Sequence, residues 1–107
     1  MSYIFGSDGK DISSFGNVKT SSDGEITTSI GSQSFSSSGA SMNNFENSSF
    51  ISNGVAINKL GKTYTTSNGK QYSVMGNTIM SSTGKSWTSI GDMSDDDIRD
   101  VIFRDNT

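Results

Sequence analysis

Large apolar residues recur along this chain at one fixed spacing. Phe15, Ile30, Phe45, Leu60, Met75 and Ile90 lie fifteen residues apart, in stretches otherwise rich in serine, threonine, asparagine and glycine. A glycine follows each of them (Gly16, Gly31, Gly61, Gly76, Gly91), except that Glu46 stands in the third unit. A second glycine column, Gly9, Gly24, Gly39, Gly54, Gly69 and Gly84, lies six positions ahead of the apolar column. A serine sits two residues before every member of it, from Ser7 to Ser82. Self-similarity at a fixed period marks a repeat fold. Six tandem units therefore run over residues 3–92, with no insertion or deletion.

Within a unit, Ser-Asx-Gly is turn chemistry, because Asx and Ser bond their own backbone and glycine accepts positive φ. The pairs Gly16–Asn17, Gly31–Ser32, Gly61–Lys62, Gly76–Asn77 and Gly91–Asp92 suit a second tight turn. Each unit thus holds two strands of about five residues. Two all-β architectures satisfy this pattern. In a β-solenoid or β-roll each unit is one coil, and equivalent residues stack into ladders. In an antiparallel meander each unit is a hairpin, which the Asp-Gly and Asn-Gly dipeptides favour. The uniform loop lengths and stacked columns favour the solenoid.

Side chains alternate faces along a strand, so an odd period forces one parity break per unit. Placing the break at the second glycine gathers the uniformly apolar column with Val18, Phe35, Phe50, Met80 and Met93 on one face, expected to be the buried one. The other face is polar early, then acquires Ile57, Tyr64, Tyr72, Val74, Ile79 and Trp87.

A different period opens after the array. Ser94 followed by Asp95, Asp96 and Asp97 reads as an N-cap with acids in the first turn of a helix. Ile98, Val101 and Ile102 then recur at helical spacing. The expectation is a short capping helix over residues 94–104, docked on the last unit near Trp87. The chain is one domain over residues 1–107, an array closed by a cap, as repeat folds require.

Charge and composition narrow the chemistry. The chain has 107 residues, 30% of them hydrophobic, with a net charge of −3. Residues 1–91 are nearly neutral, and six aspartates of the tail outweigh Arg99 and Arg104. No histidine or cysteine is present, which removes the commonest general base, thiolate nucleophiles and the commonest transition-metal ligands. The lysines fall near turns, where a solvated ammonium is a poor base. No catalytic residue, cofactor or metal site is expected. Asp8-Gly9-Lys10-Asp11 lacks the acids of a calcium loop. The array has no basic stripe for nucleic acid, and no apolar run long enough for a membrane span. With no signal peptide in view, a cytoplasmic location is expected, and virion association is compatible with it.

The unit GNTIMSSTGKSWTSIG, residues 76–91, resembles tandem units in small uncharacterised bacterial and phage proteins. That resemblance spans nearly the whole array and implies no activity.

These readings converge on a non-enzymatic protein-binding or assembly module. Its candidate contact residues are Tyr64, Tyr72, Ile79 and Trp87 of the later units, with Asp95, Asp96, Asp97 and Asp100 of the tail; if the helix covers that patch, the patch is core and the acidic outer face becomes the contact. A self-assembling structural subunit, stacked through open strand edges, is one alternative. Ice binding is another. The partner is an unidentified protein or a second copy of the chain. Unit three departs from the pattern at Asn43-Asn44-Phe45-Glu46-Asn47. Either this is drift, with Asn47 supplying the turn, or a bulge presents Asn43, Asn44 and Glu46 to a partner.

Overall fold

A computed structural model describes residues 2–91 and 93–107. Asp92, at the last expected turn and the end of the array, lies outside the described residues. Twelve short strands form in order: β1 (Ser2–Gly6), β2 (Ile12–Phe15), β3 (Val18–Ser21), β4 (Ile26–Ile30), β5 (Gln33–Ser36) and β6 (Ser41–Asn44). They continue as β7 (Ser48–Ile51), β8 (Ala56–Leu60), β9 (Thr63–Thr66), β10 (Gln71–Met75), β11 (Thr78–Ser81) and β12 (Ser86–Ile90). The turns are as predicted: Gly24 stands at φ 92° and Gly31 at φ 60°, the left-handed region open to glycine.

The solenoid expectation is overturned. Every neighbouring pair is antiparallel, and β1 pairs with β12 as well as with β2, so the meander closes into a barrel. Closure explains the uniform unit length better than coil stacking does. Each hairpin must pair with both neighbours in one register around a common axis, so an insertion within any strand would shift the register of the ring. The serine column performs the stitching. Ser22 Oγ accepts the Asp11 N–H at 3.0 Å, and Ser37, Ser52, Ser67 and Ser82 repeat the bond one unit further on each time. Ser7 Oγ accepts the Ser86 N–H at 2.9 Å, so the same bond seals the last unit to the first.

Helix α1 (Asp95–Asp105) forms where the capping motif predicts, ending one residue beyond the expected 104. Ser94 Oγ accepts the Asp97 N–H, and the Asp97 carboxylate accepts the Ser94 N–H, a reciprocal capping box. Its position differs from the expected cap on the last unit. Arg104 and Asp100 bond β3 and β4, Arg99 bonds the β6–β7 turn, and Asp105 bonds Tyr72 on β10, across the ring from β4. The helix therefore runs through the lumen. A barrel of twelve strands is wider than side chains alone can fill, since eight already suffice for a packed interior. Eleven helical residues span about 16 Å, matching strands of four or five residues.

This placement reverses the faces. The parity break falls at the second glycine, as predicted, but the uniform apolar column points outward. Phe15, Ile30, Phe45, Leu60, Met75 and Ile90 are 56–72% exposed, and Phe35, Phe50 and Met80 are exposed beside them. The inward face carries Ile12, Met42, Ile57, Tyr64, Tyr72, Ile79 and Trp87, which form one core with Ile98, Val101, Ile102 and Phe103 of the plug. The plug decides which face is buried.

Candidate functional site

The expected contact residues are interior ones. Tyr64, Tyr72, Ile79 and Trp87 are buried against the plug, and Asp97 and Asp100 are buried with them. Asp95 is half-buried, and of the eight only Asp96 is exposed. The acids serve the plug. Thr27 Oγ1 donates to Asp100 at 2.7 Å, Arg104 pairs with Asp100 at 2.8 Å, and Arg104 also donates to the carbonyls of Lys19 and Glu25. Lys19, buried on β3, lies 3.9 Å from Asp97.

Two tyrosines anchor the ends of the plug. Tyr64 donates to Asp95, which Lys59 and Arg99 also face. At the other end Tyr72 donates to Asp105 at 2.6 Å, with Lys85 at 2.9 Å from the same carboxylate. Burial, reinforced by the adjacent carboxylates, pushes both phenols above their ordinary range. Burial would raise Asp95 and Asp105 too, but the tyrosine hydroxyls and neighbouring cations outweigh it and hold both below the usual carboxylate range.

The sign of the pH dependence follows. Phenols raised on folding contribute stability that is present below about pH 10 and lost as pH rises through their folded values. Lowered carboxylates contribute stability that is present above about pH 4 and lost as pH falls through theirs. A tyrosinate absorbance titration of the folded chain is expected to leave Tyr64 and Tyr72 protonated at pH 11, until unfolding releases them together. Smooth ionisation of all three tyrosines near pH 10, with the barrel intact, would refute the anchoring.

The irregular third unit finds its explanation here. Glu46 does not adopt the left-handed backbone of its glycine counterparts. The turn is rebuilt so that the carbonyls of Phe45, Glu46 and Ser48 converge on the Arg99 guanidinium, at 2.6, 2.8 and 3.1 Å. The turn is a receptor for a plug side chain, and the Asn43 and Glu46 side chains stay exposed beside it.

At the Ser-Asx-Gly end a cavity of about 190 Å³ lies between wall and plug, with Ile12, Trp87 and Val101 among its lining residues. Its charged groups are engaged: Glu25 accepts from the Ser36 hydroxyl, and the others pair with one another. Lys10 faces Asp23, Lys85 bridges Asp8 and Asp105, and Arg104 is committed to Asp100. Asp23 is held low chiefly by the Ser21 hydroxyl. The arrangement ties barrel to helix and leaves no poised acid–base pair there.

The outer wall is chemically different. Its outward-facing strand residues include no charged side chain; Asp11, just ahead of β2, is set at the Ser-Asx-Gly end. Charges sit in the lumen and in the turns at the two ends. Around the wall the rim column forms a ring of six large apolar residues, and Phe5, Phe35, Phe50 and Met80 stand below it on the paired strands. Phe45 packs edge-on against Phe50 at 5.6 Å, and Tyr3 lies 4.7 Å from Phe5. Apolar outside and charged inside is the polarity of a membrane barrel, but strands of four or five residues are about half the 9–11 a bilayer requires. Among the described residues, no helix is long and apolar enough to cross a membrane. Comparison with protein-family models, with curated proteins and with solved structures finds no match.

Proposed function

We propose that this chain is a non-enzymatic protein-binding and assembly module whose contact surface is the outer wall of the barrel. The observation that carries this reading is the union of zero charge with twelve exposed large apolar side chains on and beside that wall. Soluble monomers scatter such residues singly, whereas a continuous band marks a contact surface. The engaged charges of the cavity and lumen argue against acid–base chemistry, which needs titratable groups poised for transfer. An ice-binding role gains nothing from a curved wall that carries no flat threonine array.

A photo-crosslinking residue at Leu60 tests the surface against one at Lys10, on the opposite end. In host lysate the wall position is expected to give discrete protein adducts, and Phe45→Lys on a neighbouring unit to reduce them severalfold. Adducts formed only through Lys10, indifferent to the wall substitution, would move the contact to the end of the barrel and overturn the proposal.

A further inference from the structure

Six units closing a ring stand about 60° apart, and each presents one rim residue at the same height. The inner columns have diverged freely: Ile12, Thr27, Met42, Ile57, Tyr72 and Trp87 occupy equivalent positions, because each must fit a different side of one asymmetric helix. The rim residues pack against nothing comparable and are mostly exposed. They too have changed identity, through Phe, Ile, Leu and Met, yet all six remain large and apolar. Only 30% of the chain is hydrophobic, so this uniformity is not composition alone. Folding of the monomer gives no reason for it at an exposed position. A contact made on every side does.

A globular partner on one flank would use one or two units and leave the rest unexplained. We infer that the ring docks further copies of this same chain, side by side with parallel axes, in a layer where each barrel has up to six neighbours. The inference rests on the outer wall being the contact surface. Self-contact of this kind is chemically consistent. Parallel copies set ring against ring, where the outward-facing strand residues carry no charge and the adjoining turns bear exposed Glu46 and Lys62, of opposite sign. Inverted neighbours would set the ring against the end that bears Asp11 and the Lys10–Asp23 turns. A closed barrel offers no unpaired strand edge, so association proceeds through side chains and not by strand addition. Six repeated weak contacts add up through multivalency, although each alone is slight.

Sedimentation velocity on the purified chain, from micromolar to millimolar concentration, tests this directly. The expected result is growth in size with concentration, little weakened by salt because the contact is uncharged. Electron microscopy of the largest species should show sheets with a centre-to-centre spacing near the 27 Å width of the barrel. Substituting all six rim residues by threonine should abolish association while leaving the circular dichroism unchanged. Should that chain not fold, Phe45→Lys with Leu60→Lys is expected to suppress sheet growth on a folded barrel. A wild type that stays monomeric at millimolar concentration would overturn self-docking. Wall crosslinks in lysate would then still support binding to another protein, such as one that encloses the barrel. Association that persists unchanged in folded rim variants would overturn it equally.

Discussion

Removing residues 94–107 is expected to unfold the barrel, not merely to uncap it. The deleted segment contributes four buried apolar side chains, Ile98, Val101, Ile102 and Phe103. At ~1.5–3 kcal/mol each, their burial is worth roughly 6–12 kcal/mol, comparable with the ~5–15 kcal/mol total stability of a domain. Deletion also opens the lumen to water, exposing Tyr64, Tyr72, Ile79 and Trp87. It strands the buried Lys19 without Asp97 and leaves Lys85 with Asp8 alone. A cap on the last unit would have cost far less, since a terminal contact leaves most of an array intact. Far-ultraviolet circular dichroism and thermal melting of the truncated chain make the comparison. A strand-rich spectrum with a cooperative melt would show that the wall holds itself, and the account of the plug would fail.

How far the fold was legible follows from the same contrast. The period, both turns, the parity break and the capping motif were local properties, fixed by glycine conformations and side-chain alternation within one unit. What lay outside the reach of one unit was closure. Whether β12 pairs back onto β1 depends on curvature accumulated over twelve strands, and a stacked coil has the same fifteen-residue column. The reversed faces have a related cause. Both faces carry apolar residues, and a uniform column such as Phe15 to Ile90 looks more like a core than one mixing Thr27 with Trp87. Uniformity is what a core of identical units would require. A lumen filled by a single helix requires the opposite. Divergence among inward columns was the available signal, together with Lys19 sharing a column with Tyr64 and Ile79. The contact residues expected on Tyr64, Tyr72, Ile79 and Trp87 were misplaced for that reason alone.

Substitution of Arg99 by methionine is expected to cost ~3–5 kcal/mol, the largest effect of any single change. Arg99 is 3% exposed, and its stem would be replaced almost isosterically, so the loss falls on the guanidinium. That group donates to three main-chain carbonyls of one turn and to Ser49 Oγ at 2.9 Å, and its Nε lies 2.8 Å from Asp95. Without it the Phe45 and Glu46 carbonyls lose their plug-side donor, which is the expensive way to lose a hydrogen bond, while Ser48 O keeps the Phe45 N–H. Lysine should recover only part, because one ammonium cannot reproduce the planar fork that serves Nη1 and Nη2 together. The control is Glu46→Gly. It restores the glycine found in the other units but leaves the carbonyl in place and removes only an exposed side chain. A change within about 1 kcal/mol is expected there. Chemical denaturation of the three variants decides the matter. If Arg99→Met and Glu46→Gly cost the same, the third turn differs from its siblings without serving the helix, and the register of plug in barrel must be set elsewhere.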